Sequence, residues 1–318
     1  MKLVHATALA LALSSPVVVP TARAQDHLNV VVGQINNWEQ QPPIFARDTG
    51  IFKKYNLDVN IVGSQGAGET IQAVISSADI GTGVGVAGAM RAFARGAPVR
   101  ILLPAFTGTG DLYWYVRSDS PLKSVKDATA SNTVAYSTSG SSSNNLVLAF
   151  VEELGLKAKP TATGGPAATL TAVMSGQIDI GWAAPPFGVK ELREGKIRIL
   201  VRGSDAPSLR GQTVRSVIVN ANSLATRKDA VLRFAKAYRE GVDYMYSDPR
   251  ALATYAAKMN LDEGLIRESV QQFHPKSALQ TDEMKDMDGI QRDAVRLKFL
   301  DRPLTQQQLA EFIQIPPR

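Results

Sequence analysis

Short apolar runs alternate with amphipathic stretches over the first two thirds of the chain, and many of these stretches end at glycine. The apolar runs predict strands and the amphipathic stretches predict helices. The predicted strands are residues 28–32, 57–62, 78–81, 99–103, 113–117, 133–136, 159–163, 178–182, 197–201 and 215–220. The predicted helices are residues 42–50, 69–77, 89–95, 142–154, 166–175 and 189–194, and residues 82–88 form a glycine-rich loop. This alternation predicts an α/β fold of mostly parallel, doubly wound sheets flanked by helices.

The last third of the chain is predicted to be helical. Residues 227–246 carry apolar side chains three and four positions apart, which is the spacing of one helix face. Asp248 and Pro249 can cap and open a following helix that runs to residue 259. Residues 265–272, 282–300 and 305–312 are predicted helices as well.

One motif occurs twice, about a hundred residues apart, in residues 66–81 and 165–181. Thr70 and the triplet Asp79-Ile80-Gly81 of the first copy match Thr169 and Asp179-Ile180-Gly181 of the second. Each copy is predicted as a glycine turn, a short helix and a strand. Two copies of one such unit predict two similar lobes, although α/β proteins in general repeat helix–turn–strand units.

The distribution of these elements predicts the domain organisation. Residues 116–214 form a self-sufficient second lobe, whereas residues 25–115 need the C-terminal helices, and so residues 215–318, to complete the first. The chain would then cross between the lobes near residues 115 and 214. Two connections of this kind make a hinge.

The N-terminus resembles a secretory signal peptide. Lys2 precedes an apolar run over residues 6–13, and Ala22-Arg23-Ala24 offers small residues on either side of a cleavage point. Prolines interrupt the apolar stretch, which is shorter than the ~20 residues of a membrane-spanning helix. We therefore expect residues 1–24 to be removed and the chain to reside in the periplasm, without a membrane anchor.

Composition excludes several classes of function. The chain has no cysteine, so disulfides, thiol nucleophiles, thiolate metal sites and a lipidated cysteine are impossible. Removal of residues 1–24 takes away Lys2 and Arg23 and no acid, so the net charge of +6 becomes +4. Basic residues are scattered, which argues against nucleic acid. The remaining histidines, His27 and His274, lie far apart in sequence, so no metal, cofactor or acid–base pair is expected.

Candidate ligand-binding residues follow the predicted strands, because ligands of open α/β sheets bind at the carboxyl ends of the strands. The sharpest signal is the segment from Ser137 to Asn145, which contains five serines and opens a predicted helix. Free amides at a helix N-terminus hold anions, although the segment would also suit a capped, flexible loop. Trp182 and Phe187 could line a cleft, and Trp38 has polar neighbours, yet both tryptophans would also suit a core.

The chain resembles the periplasmic solute-binding proteins of nitrate/sulfonate/taurine-type ABC importers. The residues that carry the resemblance are Gly50-Ile51-Phe52-Lys53-Lys54-Tyr55-Asn56-Leu57-Asp58-Val59, Ala78-Asp79-Ile80-Gly81, Ser120-Pro121-Leu122-Lys123-Ser124-Val125-Lys126-Asp127 and Gly176-Gln177-Ile178-Asp179-Ile180-Gly181. The resemblance implies a two-lobed type II periplasmic binding fold and an ABC permease as partner. Together with the positions after the strands, it predicts these ligand-binding residues: Asn36, Trp38, Gln65, Gly83, Ser139, Gly140, Ser141, Ser142, Trp182 and Pro185.

The chain departs from this family at two places. Ala130-Ser131-Asn132 stands where relatives often have Gly-Lys, and no histidine follows Gly140-Ser141. The sequence therefore predicts a monomeric, non-enzymatic binding protein for a small anionic organic solute, such as a sulfonate, taurine or an organic acid, without identifying it. An enzyme on the same fold, of the desulfination or pyrimidine-synthesis type, and a receptor for another transporter or a chemosensor stay open.

Overall fold

The computed structural model of the protein describes residues 24–318. The expected signal peptide, residues 1–24, lies outside this range except for its last residue. Within the described range, none of the helices combines the length and the apolar character needed to cross a membrane.

Strands and helices alternate as far as residue 220, and helices dominate afterwards. In chain order the strands are β1 (Asp26–Gly33), β2 (Leu57–Ser64), β3 (Ile80–Gly85), β4 (Val99–Thr107), β5 (Tyr113–Arg117), β6 (Thr133–Tyr136), β7 (Lys159–Ala162), β8 (Gly181–Ala183), β9 (Ile197–Arg202) and β10 (Thr213–Asn220). The helices are α1 (Pro42–Asp48), α2 (Ile51–Lys54), α3 (Ala67–Ser76), α4 (Val86–Ala94), α5 (Ser142–Glu153), α6 (Pro166–Met174), α7 (Val189–Arg193), α8 (Ala221–Thr226), α9 (Lys228–Ser247), α10 (Arg250–Met259), α11 (Glu263–Phe273), α12 (Met287–Arg296) and α13 (Gln306–Phe312).

The strands form two assemblies with the same order. The first sheet has the order β2-β1-β3-β10-β4. In the second assembly β8-β5-β9 and β6-β7 are joined between β6 and β8, where the Ala135 amide donates to the Ile180 carbonyl at 2.7 Å and the Ile180 amide donates to the Thr133 carbonyl at 3.0 Å. The helix-flanked α/β sheets predicted from the sequence are thus confirmed.

Each assembly is mixed rather than wholly parallel. In the first sheet β1 runs parallel to β2 and β3, whereas β10 runs antiparallel to β3 and β4. In the second assembly β5 takes the corresponding place, antiparallel to β8 and β9. The chain passes from the first assembly into the second at β5 and returns to the first at β10, so each antiparallel strand is the one that enters its assembly.

The two copies of the sequence motif make the same contacts in three dimensions. Asp79 accepts a hydrogen bond from the Asn29 amide at 2.8 Å, and Asp179 accepts one from the Thr133 amide at 2.8 Å, so the carboxylates anchor the equivalent strands β1 and β6. Thr70 donates to the Gly66 carbonyl at 3.1 Å, as Thr169 does to Gly165 at 3.0 Å. The repeat is therefore structural and not a chance similarity.

Two segments connect the two assemblies and are hydrogen-bonded to each other. Residues 108–112 lead from β4 to β5, and residues 203–212 lead from β9 back to β10. The Gly108 amide donates to the Gln212 carbonyl and the Gly203 amide donates to the Leu112 carbonyl, both at 2.8 Å. The two segments that connect the sheets therefore lie side by side.

The C-terminal helices pack on both faces of the first sheet. On one face Phe234 of α9 stacks on Phe52 of α2 with ring centroids 5.4 Å apart. On the other face Phe312 of α13 lies 4.9 Å from Phe93 of α4. Burial of these aromatic rings completes the core around β1, β3, β4 and β10.

Three local expectations are corrected. The predicted glycine-rich loop at residues 82–88 is the end of β3 followed directly by α4, because β10 pairs with β3 as far as Gly85. The predicted helix 282–300 is confined to α12, since Asp286 caps it by accepting from the Gly289 amide at 3.0 Å. Helix α8 falls in a stretch that the pattern left unassigned.

Candidate functional site

A small cavity lies between the two assemblies, where loops from both converge. It encloses about 20 Å³. Its lining residues are Gly33, Gln34, Asn37, Glu39, Gln40, Gly66, Ala67, Gly83, Leu112, Ser137, Ser141, Ser142, Ser143, Trp182 and Arg215. A second cavity of about 300 Å³ shares Gln34 and Asn37 with it and extends to Ser64, Gln65, Pro166 and Phe187. We call these the inner and the outer cavity.

Helix α5 presents its N-terminus to the inner cavity. Ser141 caps the helix, because its hydroxyl accepts a hydrogen bond from the Asn144 amide at 3.0 Å. Ser137 and Ser143 hydroxyls lie 3.1 Å apart beside it. The small hydroxyl side chains and the positive end of this helix give one wall of the cavity donors and a favourable potential for negative charge.

A buried ion pair lies beside this wall. Arg215 of β10 binds Asp111 of the first connecting segment, donates to the Ser142 hydroxyl at 3.0 Å and lies over the Phe106 ring at 4.3 Å. Burial raises the pKa of the Asp111 carboxyl and the nearby Glu39 charge adds to this, whereas Arg215 opposes it. Arg215 thereby bridges the first sheet, the connecting segment and α5.

Glu39 brings a second buried carboxylate to the inner cavity. Its Oε1 accepts a hydrogen bond from the Asn37 amide group at 3.2 Å, and only 3% of the residue is exposed. One ligand atom from each of Glu39, Asp111 and His274 lies within 4.8 Å of the others. Acidic groups and a histidine from three distant parts of the sequence thus meet behind the serine-rich wall.

Four buried polar atoms of the lining have no hydrogen-bond partner within residues 24–318. They are two donors, Trp182 Nε1 and Arg215 Nε, and two acceptors, Asn37 Oδ1 and Glu39 Oε2. Buried polar groups are normally paired, so such atoms mark places where a ligand or water completes the bonding. Donors and acceptors are both present, which suits a guest that carries both kinds of group.

The predicted site residues divide into three groups. Gly83, Ser141, Ser142 and Trp182 line the inner cavity, and Gly140 lies immediately beside it. Asn36 and Gln65 line the outer cavity and are exposed. Trp38, Ser139 and Pro185 line neither.

Each of these three has a different environment from the one expected. Trp38 is fully buried, because its ring packs edge-on against Phe45, Tyr246 and Tyr255, and its Nε1 donates to the Tyr246 hydroxyl at 3.2 Å. Ser139 is exposed and lines a surface pocket near Arg91.

Pro185 lies beyond the cavity, where its carbonyl accepts a hydrogen bond from the Nε2 of His274 at 2.9 Å. Its role is therefore to orient that imidazole.

Sequence reasoning missed several lining residues and their neighbours. They are Glu39, Gln40, Asp111, Arg215 and His274. Asn37 and Glu39 flank Trp38, so the predicted loop reaches the inner cavity through the neighbours of Trp38 and not through its indole ring. Asp111, Arg215 and His274 come from the two connections between the sheets and from the end of α11, where no local motif marks them.

A larger cavity of about 860 Å³ lies elsewhere, under the C-terminal segment beside α8 and α9. It is lined by Arg100, Lys228, Glu311 and Ile315 among others, and the first sheet supplies the strand beneath it. None of its lining side chains has an unpartnered buried polar atom in the described part of the chain. Size alone does not make it the better candidate.

Comparison with solved structures identifies the fold. The periplasmic aliphatic sulphonate binding protein SsuA from Escherichia coli is 20% identical, with a TM-score of 0.67 over 89% of this chain and 91% of that chain. The alkanesulfonate-binding protein SsuA from Xanthomonas axonopodis pv. citri, bound to MOPS, is 15% identical, with a TM-score of 0.74 over 93% and 100%. The nitrate-binding protein NrtA from Synechocystis PCC 6803 is 15% identical, with a TM-score of 0.66 over 91% and 85%.

No curated protein sequence matches the chain. The family model described as NMT1/THI5 like matches residues 37–252, a range that includes both copies of the repeat and the whole serine-rich loop. With the fold of the periplasmic binding proteins and a match over more than half of its length, the chain belongs to the NMT1/THI5-like family.

Proposed function

We propose that this protein is a periplasmic solute-binding protein that captures a small organic solute with an acid group and delivers it to an ABC permease. Its lobes would be residues 25–115 with 215–318 and residues 116–214, joined by segments 108–112 and 203–212. The observation that carries the proposal is the inner cavity, to which both assemblies contribute polar groups. A guest bound there contacts both lobes only when they are closed, and this differential affinity drives closure.

The chemistry of the wall around α5 supports an acid group as the recognised part of the solute. This wall offers hydrogen-bond donors, namely the hydroxyls of Ser137 and Ser141 and the unpartnered Nε1 of Trp182. The N-terminus of α5 adds a positive electrostatic potential. A sulfonate or carboxylate provides several acceptors in a compact group. Similar proteins include sulfonate- and nitrate-binding proteins, which agrees with this assignment.

The size of the inner cavity supports a hinge motion during binding. About 20 Å³ accommodates roughly one water molecule and no organic solute. The outer cavity, of about 300 Å³, is separated from it by Gln34 and Asn37, and Gln34 donates to the Gln65 carbonyl. Entry of a taurine-sized solute therefore requires the walls to part and then to close over it.

Calorimetric titration of the exported chain tests the proposal directly. The panel contains alkanesulfonates, taurine, nitrate and aromatic and aliphatic carboxylates, together with neutral alcohols and amines of the same size. We expect saturable heat from at least one acid and none from its matched neutral analogue. Heat from neutral or cationic compounds alone would contradict the proposal.

A second experiment addresses the enzymatic alternative. We propose that the solute leaves unchanged. The sequence has no cysteine for the thiol chemistry of a desulfinating enzyme, and the similar solved structures named above are binding proteins. Chromatography of the solute after prolonged incubation with the protein is expected to recover it intact. Appearance of a product in proportion to protein concentration would favour the enzyme instead.

A further inference from the structure

We propose that Glu39, Asp111 and His274 hold a divalent metal cation directly behind the inner cavity. The three side chains come from the loop after β1, the first connecting segment and the end of α11. One ligand atom from each lies within 4.8 Å of the others, and all three residues are at least 97% buried. Two carboxylate oxygens and one imidazole nitrogen are ordinary ligands of zinc and manganese.

Each of the three side chains is anchored through one atom and leaves another atom without a partner in the described structure. Glu39 accepts from Asn37 through Oε1, Asp111 accepts from Arg215 through Oδ2, and His274 meets the Pro185 carbonyl through Nε2. The remaining atoms, Glu39 Oε2, Asp111 Oδ1 and His274 Nδ1, have no hydrogen-bond partner among residues 24–318. Three orphaned ligand atoms in one buried cluster need a shared partner.

The hydrogen bond of His274 fixes the tautomer that a metal requires. A carbonyl oxygen only accepts, so Nε2 carries a proton, and in the neutral imidazole Nδ1 then presents its lone pair. Metal-binding histidines characteristically donate their other N–H to a carbonyl or carboxylate in this way, and ligating carboxylates are likewise hydrogen-bonded. The imidazole is also held edge-on against Phe106, with centroids 6.2 Å apart.

The distances allow the site to close on an ion. Tetrahedral zinc holds its oxygen and nitrogen ligands about 2.0–2.2 Å from the metal, which separates the ligand atoms from one another by roughly 3.4 Å. Ligand atoms that already lie within 4.8 Å of one another need only small side-chain shifts to reach that spacing. A fourth coordination position would face the inner cavity, which Glu39 also lines.

The charge of the cluster supports a cation as the shared partner. The cluster contains two carboxyl groups, those of Glu39 and Asp111, and one guanidinium group, that of Arg215, which pairs with Asp111. A buried carboxylate without full compensation is costly, and Glu39 lies in the cavity where the proposed acid group would bind. A divalent cation would compensate Glu39 and attract that acid group. This consequence rests on the proposed function, whereas the metal site itself does not.

The experiment uses tag-free protein that has been dialysed against a chelator and then titrated with zinc chloride or manganese chloride. We expect about one equivalent of metal per chain by calorimetry and elemental analysis. Glu39→Gln keeps the side-chain size and is expected to weaken binding at least tenfold. The control is His27→Asn, which removes the exposed His27–Asp58 pair and should leave binding unchanged.

Anomalous diffraction at the zinc edge should place a single peak among Glu39, Asp111 and His274. Equal metal binding by the wild type and Glu39→Gln, or no binding by the wild type, overturns the proposal. A further outcome is that zinc fails to bind and Glu39→Gln shifts the binding preference of the protein from taurine toward ethanesulfonate. The Glu39 carboxylate would then bind the ammonium group of the solute and not a metal. Metal binding without any solute binding would leave the metal site standing and refute only the proposed function.

Discussion

Gly88 of α4 and Gly140 at the start of the serine-rich wall meet backbone to backbone. A Cβ atom added to Gly88 would lie 2.2 Å from the carbonyl oxygen of Gly140. No real Cβ atom comes so near to a backbone oxygen, and neither backbone can yield without moving its assembly. The absence of a side chain at Gly88 therefore sets how closely the two assemblies approach.

Gly88→Ala is predicted to hinder closure without harming the separate lobes. Alanine is the better helix former by roughly 1 kcal/mol, so the ligand-free protein should keep its thermal stability. Affinity for the solute should fall at least about tenfold, because the closed state is disfavoured. Calorimetry and small-angle scattering measure the two effects.

Ser76→Ala provides the control, since Ser76 is an exposed residue of α3 that lines neither cavity and lies outside both connecting segments. It should bind the solute like the wild type. Unchanged affinity in Gly88→Ala would mean that the observed approach of the assemblies is not needed for binding.

Trp182→Phe is predicted to weaken solute binding by roughly three- to tenfold, the effect of one lost hydrogen bond of about 0.5–1.5 kcal/mol. The reason is that the Nε1 donor of Trp182 lines the inner cavity and has no partner in the described part of the protein. Titration of the variant with the best acid of the panel measures the change.

Trp114→Phe is the matched comparison, because Trp114 is also buried but donates to the Ala135 carbonyl at 2.8 Å. It should lose roughly 1–3 kcal/mol of stability and retain affinity. If Trp182→Phe instead lost stability and retained its affinity for the solute, Trp182 would be only a core residue.

Asp111→Asn is predicted to destabilise the protein by about 3–5 kcal/mol, the usual effect of leaving one partner of a buried ion pair alone. Asp111 is fully buried and Arg215 nearly so. Urea unfolding followed by circular dichroism measures the loss. The exposed pair Arg117–Asp119 supplies the control, and Asp119→Asn should change stability by less than about 1 kcal/mol.

The two repeat carboxylates are predicted to differ in importance despite their equivalent positions. Asp79 is buried and also accepts from Ser223 at 2.7 Å and from Arg227 at 2.8 Å, whereas Asp179 is exposed. Asp79→Asn should cost about 2–3 kcal/mol and Asp179→Asn less than about 1 kcal/mol. Equal losses would indicate that the equivalent bond, to β1 or to β6, dominates at both sites.

Acidic pH is predicted to lower the free energy of unfolding partly through protonation of Asp248. Hydrogen bonds from Arg250 hold the pKa of this carboxyl at about 2, below its usual 3.8. The folded state therefore binds the proton less tightly, and the contribution of Asp248 is present above pH 4 and disappears as the pH falls toward 2. Asp248→Asn should lessen the pH dependence of the melting temperature in that window, and an unchanged dependence would contradict the prediction.

Local patterns predicted most secondary structure because each element carries its own signal. Residues 133–136 form a strand with the predicted bounds, since polar residues flank a short apolar run. The exception at residues 82–88 has a tertiary cause. Gly83, with φ of +71°, suggests a loop in isolation, but pairing with β10 supplies the partners that keep the segment in the sheet.

Sequence reasoning reached the inner cavity at the carboxyl ends of strands. Ser141 lies in the loop after β6, and Trp182 lies within the short strand β8, and both line the cavity. Asp111 and His274 are 163 positions apart, so no spacing rule could have joined them. Their meeting depends on how the connecting segments cross and on where α11 packs, which are properties of the whole fold.

The central place of β10 in the first sheet has a consequence for biogenesis. The strands of the second assembly all come from residues 113–202, so its pairing needs no later strand. The first sheet, in contrast, is complete only when residues 213–220 fill the gap between β3 and β4. The strands β1 to β4, which are synthesised first, would therefore be among the last to reach their native pairing. Their unpaired edges would meanwhile be open to chaperones or to aggregation.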